Sequence, residues 1–243
     1  MKHLITKIYG NGITAHNRLG SFYQKYKHAI PLLLYGIIYM TWFLWLERNV
    51  TTHYKVIHVS LDDHIPFCEW FVIPYFLWFA YVALVVAWLF FKDKDDYFRS
   101  CIFLFTGMTV FLVISTLFPN GHHLRPAVMP RDNILTAMVA HLYRTDTPTN
   151  LWPSIHVYNA LGAHIAVIRN RQLAGKRKLC LCSFVLCISI VLSTMFIKQH
   201  SAFDVITELV MAAAMYGVTY KYDILAVYRE RVRTRKKATP QVN

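Results

Sequence analysis

The sequence predicts an all-α, polytopic membrane protein with six transmembrane helices. Three observations carry that expectation. Hydrophobic residues make up 56% of the 243-residue chain. They gather in several runs of the length that crosses a bilayer, about 18–20 residues, which a soluble core of this size does not need. The 26 lysines and arginines leave a formal charge of +13. They fall in blocks between the apolar runs rather than along one face, as membrane topology produces and as a nucleic-acid surface does not. Finally, ionisable residues sit where apolar runs begin, and such groups are costly in a spanning segment unless they have a function.

Residues 1–28 carry Lys2, Lys7, Arg18, Lys25 and Lys27 and no acid. They read as a basic cytoplasmic segment, either an interfacial amphipathic helix or a plain tail, with no cleavable signal expected. The six spans are expected at about 29–46, 67–91, 101–117, 154–168, 179–197 and 204–220, making 29–220 one helical domain. Pro74 in the second span suggests a kink or a restart. Residues 92–96 read as a short charged turn. Between spans three and four lies the longest polar segment, 118–152, in which Ile134, Met138 and Leu142 are spaced as on a short surface helix. Ser154, after Pro153, is placed to cap the fourth span. Residues 221–243 form a basic tail, expected to be helical at first.

Counting cations orients the chain. With the N-terminus inside, 20 of the 26 lysines and arginines lie in cytoplasmic segments, so both termini are expected in the cytoplasm. The loops holding Arg125, His156 and His200 then share the outer face. The five cysteines read as buried small hydrophobes rather than disulfides or a metal site. Trp42, Phe43, Trp45, Trp70 and Phe71 read as interface belts. His122 and His123 read as loop residues, and Ser193 as a serine bonding its own helix.

The chemistry concentrates in Pro153-Ser154-Ile155-His156 and His200-Ser201-Ala202-Phe203-Asp204. His200 and Asp204 are four apart, so a helix places them on one face. An aspartate that binds one ring nitrogen leaves the other free to attack or to carry a proton. These residues resemble the type 2 phosphatidic acid phosphatase superfamily. Pro153 to His156 resembles its Pro-Ser-Gly-His motif, with Ile155 in the glycine's place. His200-x-x-x-Asp204, with Ser193 seven residues earlier, resembles the end of its third motif, and Arg125-Pro126 the end of its first. The first motif's lysine would fall at Phe118 and the third motif's arginine at Thr194. That loss resembles the inositol-phosphorylceramide-synthase and sphingomyelin-synthase-like branch, whereas Arg125-Pro126 is a phosphatase-like trait.

The resemblance implies a helical bundle in the cell membrane acting on a lipid phosphoester through a phosphohistidine. The implied catalytic residues are His156, His200 and Asp204. The implied phosphate ligands are Arg125 and Ser154, with Lys198 as a replacement ligand beside Arg131 and Arg144 as further candidates. No metal, cofactor or nucleic acid is implied. A single motif cation favours a monoanionic phosphodiester donor and transfer to a hydroxyl. Hydrolysis of a lipid phosphomonoester is the alternative, and a transporter or a non-catalytic membrane protein is the reading of another class. Beneath the site, His164 and Glu208 lie eight residues after His156 and His200 and are expected to approach each other.

Overall fold

The computed structural model describes residues 20–21, 23–50 and 52–238; the expectations for residues 1–19 and for the tail beyond 238 lie outside the described residues. The chain divides into two compact units between Ile38 and Tyr39, within the residues of the first long helix, α1 (Ile30–Asn49). The first unit is helical where it is described.

The second unit holds the rest of α1 and eight further helices: α2 (Ser60–His64), α3 (Val72–Lys92), α4 (Lys94–Leu117), α5 (Ile134–Thr145), α6 (Ile155–Arg169), α7 (Arg177–Phe196), α8 (Ala202–Tyr216) and α9 (Ile224–Ala238). A 3-10 turn, Glu69–Phe71, leads into α3, and a π-helical turn, Gly217–Lys221, ends α8. Two short strands, β1 (Lys55–Val56) and β2 (Asn120–Gly121), pair in parallel with Lys55 opposite Asn120. The all-α expectation therefore holds for the described residues.

Among the described residues, five stretches are long and apolar enough to cross a membrane: Tyr23–Asn49, Glu69–Lys92, Lys94–Leu117, Arg177–Phe196 and Ala202–Thr234. The expected fourth span is the exception. As α6 it has only 15 residues, about 22 Å of helix against a hydrocarbon core of about 30 Å. It is also the best-covered helix of the bundle, packed by α3, α4, α7 and α8. Its far end is closed by protein: Asn170, fully buried, donates from Nδ2 to Asp93 Oδ2 (3.1 Å) and Asp96 Oδ2 (2.8 Å) at the start of α4.

The boundaries have local causes. Asp93 accepts from the backbone of Asp95 and Asp96 and starts α4 earlier than apolarity alone suggests. Pro74 falls in the first turn of α3, where a missing N–H is tolerated, so it starts the helix and does not kink it. The surface helix exists as α5, with its face rotated from the expected one. Val139, Leu142, Leu135 and Tyr143 pack inward, while Ile134 is 78% exposed. Glu69 sets that rotation. It accepts from Arg131 Nε (2.7 Å) and NH2 (2.5 Å) and from Nδ2 of Asn133 (3.0 Å), the residue that caps α5. All five cysteines are free. Cys101 and Cys187 are buried, Cys68 and Cys180 are half-buried, and Cys182 is exposed, contrary to the expectation for it.

Small residues let α6 sit at the centre. Ala160 and Ala163 pack with Tyr81, Cys187 and Ile190, and Tyr158 packs with Phe103, Leu104 and Ala212. The Tyr158 ring stacks on Phe103 at 4.6 Å, and its hydroxyl donates to the Phe103 carbonyl (3.0 Å). The same ring lies against Gly107 of α4, where an added Cβ would collide with it. Gly107→Leu is therefore expected to lower stability by about 1–3 kcal/mol through overpacking. Gly217→Ala, whose Cβ would meet open space, should not. Thermal unfolding in detergent checks both, and an unchanged midpoint for Gly107→Leu would contradict this packing.

Candidate functional site

The site lies where α6 and α8 begin. After α7 the chain reverses tightly: Gln199 and His200 both donate backbone N–H to the Thr194 carbonyl (2.8 and 2.9 Å), with Lys198 in the left-handed region (φ 52°). Ser201 then caps α8, accepting from the Phe203 N–H (3.1 Å). Asp204, in the first turn, reaches back to the Ser201 N–H (3.0 Å), completing a capping box. The same Asp204 Oδ2 faces His200 Nδ1 at 3.2 Å. His200 thus stands just outside the helix and not on one of its turns. The His-x-x-x-Asp spacing works through the cap rather than through a shared helix face.

His156 is in the first turn of α6, which Ser154 caps by accepting from the Val157 N–H (3.5 Å). Its ring is flanked by Tyr75 (4.6 Å between centroids) and Trp78 (4.4 Å) of α3 and lies 5.7 Å from the ring of His200. Its Nδ1 is buried without a hydrogen-bond partner. Burial, with the Arg125 charge as a second cause, holds His200 down to about 3, so its ring is neutral at pH 7. The Leu151 carbonyl beside the ring opposes that lowering; in the tautomer with its hydrogen on Nδ1, toward Asp204, the neutral ring carries its lone pair on Nε2, the state a nucleophile or a base requires.

Comparison of the chain with protein-family models, with curated proteins and with solved structures returned no match.

The expected phosphate ligands separate into two kinds. Ser154 is fully buried at the start of α6, in the site. Arg125 is close enough for its charge to act on His200, but its donors are already engaged. Its NH1 donates to the carbonyls of Tyr143 (3.2 Å) and Asp146 (2.8 Å), and its NH2 to the Thr147 carbonyl (3.2 Å) and Gln199 Oε1 (2.5 Å). The guanidinium also stacks on Tyr143 at 4.5 Å. The four terminal N–H groups are taken, and Nε, buried and unpartnered, is the donor left. A bidentate clasp of phosphate by Arg125 does not fit this arrangement; its charge still acts on His200. Lys198 points away from the expected role, donating to the carbonyls of Asp62 (3.0 Å) and Ile65 (2.5 Å). Arg131 is held by Glu69.

Several residues that build the site carry no motif. Asp62, 139 positions earlier in the chain than Ser201, accepts from Ser201 Oγ (2.6 Å), the Ala202 N–H (2.7 Å) and the Val59 N–H (3.0 Å). An acid at a helix N-terminus is stabilising, and this one also fixes the cap that aims His200. Asn120 accepts from the backbone of Leu151 (2.9 Å) and Trp152 (2.8 Å) and so sets the approach to Ser154. His122 is buried, not a plain loop residue: Leu124 N–H donates to its Nδ1 (3.3 Å), and its Nε2–H donates to the Gln199 carbonyl (2.9 Å). Lone acids, amides and histidines in a polar loop give no sequence signal of this kind. Ser193 does bond its own helix, through the Ile190 carbonyl (2.6 Å).

The expected pair beneath the site is not formed. His164 Nδ1 meets Ser183 Oγ of α7 (2.9 Å), while the buried Glu208 carboxyl turns toward the Ser154 backbone. His164 faces α7, and Glu208 lies one turn along α8 from Asp204. Among the described residues, no group of three or more His, Cys, Asp and Glu is placed to hold a metal ion.

His122 gives a pH test of the loop. Burial, its largest cause, lowers it from 6.5 to about 4. A group depressed in the folded state stabilises above its unfolded value and loses that contribution as pH falls toward its folded value. The stability advantage of the wild type over His122→Gln is therefore expected to shrink between pH 7 and pH 4. Thermal midpoints of the two proteins across that range measure it, and a constant difference would refute a buried neutral His122.

Proposed function

We propose that this chain is an integral-membrane phosphoryl-transfer enzyme acting on a lipid phosphoester, as its resemblance to the type 2 phosphatidic acid phosphatase superfamily implies. The observation that carries the reading is the union of His200, bonded through Nδ1 to Asp204, with His156 one ring away. Motif residues 44 positions apart meet at one end of the bundle, on helix starts where a phosphate is favoured.

In this mechanism His200 Nε2 attacks phosphorus and forms the P–N bond. The anionic phosphate, once bound, favours the protonated form of the buried His156 ring; as the bond from phosphorus to the lipid oxygen breaks, His156 delivers that proton to the leaving oxygen. Asp204 stabilises the positive charge that develops on the His200 ring. Water or an acceptor hydroxyl then attacks phosphorus, His156 takes its proton back, and the P–N bond breaks. Ser154 and the Arg125 Nε–H are the candidates to hold phosphate oxygens.

The donor proposed is a monoanionic phosphodiester lipid, with transfer to a hydroxyl. Two of the three cations that were candidates to replace the missing motif charges are engaged elsewhere, Lys198 with backbone carbonyls and Arg131 with Glu69. In a partly desolvated site each absent cation matters more than it would in water. One observation favours the alternative, hydrolysis of a dianionic monoester: Lys55 Nζ lies 4.7 Å from the ring of Phe118, the position where the family's lysine would fall. The cation count supports a topology with both termini in the cytoplasm and this site on the outer side, in the proposed reading that of the cell membrane.

The test is turnover by the purified chain with a phosphatidate-type monoester and a matched phosphodiester lipid, following both free phosphate and new lipid. His200→Ala is expected to abolish turnover and any phosphoenzyme. His156→Ala should slow both steps by about 10²–10⁴-fold. Full activity of a folded His200→Ala protein would end the mechanism. A higher kcat/KM for the phosphodiester is expected. A strong preference for the monoester, lost in Lys55→Ala, would return the chain to the phosphatase reading.

A further inference from the structure

A cavity of about 360 Å³ opens between α3 and α7 at the end of the bundle opposite His156, within the size range of small-molecule sites. Val167 and Leu173, at and just beyond the end of α6, mark its depth. Val85, Trp88 and Leu186 form apolar walls, and Cys182 lies on its exposed side. Ser183, at its floor, faces inward, already bonded to the Tyr81 hydroxyl (2.6 Å) and to His164 Nδ1 (2.9 Å). A floor whose polar groups satisfy one another offers little to a polar ligand and suits a hydrocarbon chain.

The mouth has the opposite character. Lys176 lines it, and Arg177 and Lys178 follow in the chain; all three side chains are exposed. Lys176 is also the N-cap residue of α7, a 20-residue helix whose start has no side-chain cap. Uncapped N–H groups and the positive end of a long helix favour an anion there. No carboxylate lines the cavity. Both helices that form the walls are among those apolar enough to cross a membrane, and Trp88 and Lys176 are residue types that settle at the interface.

We propose that this groove is a binding site for one anionic phospholipid, its phosphate at the start of α7 beside Lys176 and an acyl chain lying between α3 and α7. The length of α6, about 22 Å, separates it from the histidine site, so its occupant is not the lipid undergoing reaction. On the charge count above, it is a lipid of the cytoplasmic leaflet. A bound lipid would fill the seam between α3 and α7 and stabilise the bundle in proportion to its occupancy.

Native mass spectrometry of the full chain in detergent, titrated with phosphatidylglycerol or phosphatidylcholine, tests this. One tightly held phosphatidylglycerol is expected, with phosphatidylcholine bound more weakly. Lys176→Glu, in an exposed turn, should weaken the phosphatidylglycerol adduct roughly ten-fold by reversing a charge at the headgroup. Cys182→Trp, which places bulk in the chain groove from its exposed side, should weaken it as well. Equal affinity for the two lipids, or phosphatidylglycerol binding unchanged in both variants, would overturn the site. So would a dimer that Cys182→Trp dissolves, since the face would then pack a second copy of the chain.

Discussion

Satisfying the start of α8 inside an apolar bundle is the constraint on which the candidate site depends. The first N–H groups of a helix have no partner within it, and in a membrane protein water cannot be relied on to supply one. Here Ser201, Asp204 and Asp62 meet that need together. Asp204 cannot leave its capping position without exposing the Ser201 N–H, so the oxygen it shows to His200 is held in place by the helix end. Asp62 adds a second lock from a distant part of the chain. The aim of the His200 ring is thus a by-product of helix capping, and it requires no separate scaffold.

The short central helix follows the same logic. An apolar helix of 15 residues cannot present both its ends to the two membrane surfaces. Its first turn is therefore met by Ser154, with the approaching chain pinned by Asn120, and its last by Asn170, which bonds Asp93 and Asp96 at the start of α4. Between them, Ala160, Gly162 and Ala163 allow the neighbouring helices to approach closely, as small residues do where no hydrophobic effect drives helices together. Placing His156 at one end of this covered helix puts its ring in an aromatic slot formed by Tyr75 and Trp78 rather than in solvent.

Positive charge near the site is mostly committed to structure. Arg125 joins the end of α5 and residues 146–147 to Gln199, Lys198 joins the α7–α8 turn to the segment after α2, and Arg131 anchors α5 to the start of α3. Each of these long side chains gains more from fixed carbonyl or carboxylate partners than from an open pocket, because a buried donor without a partner is costly. The surroundings of His200 are consequently shaped by cations whose donors are largely occupied.

The candidate grouping of His156 with His200 and Asp204 came from the motif resemblance, while local pattern by itself determined the helical class, the apolar stretches and the Ser154 cap. These depend on periodicity and spacing along the chain, which are written in neighbouring residues. The sequence also placed α5 but not its facing, because Ile134, Met138 and Leu142 satisfy helical spacing whichever stripe turns inward. Only the tertiary structure decided that the stripe through Val139 and Leu142 packs, since Glu69, 64 positions before Asn133, sets the rotation. It alone decided that α6 is too short to span unaided, that His164 joins Ser183 and not Glu208, that Arg125 and Lys198 hold loops, and that Asp62, Asn120 and His122 belong to the site. Each of those outcomes rests on a partner far away in the chain. A hydrogen bond between distant residues depends on where the packed helices bring them, and no local spacing records that position.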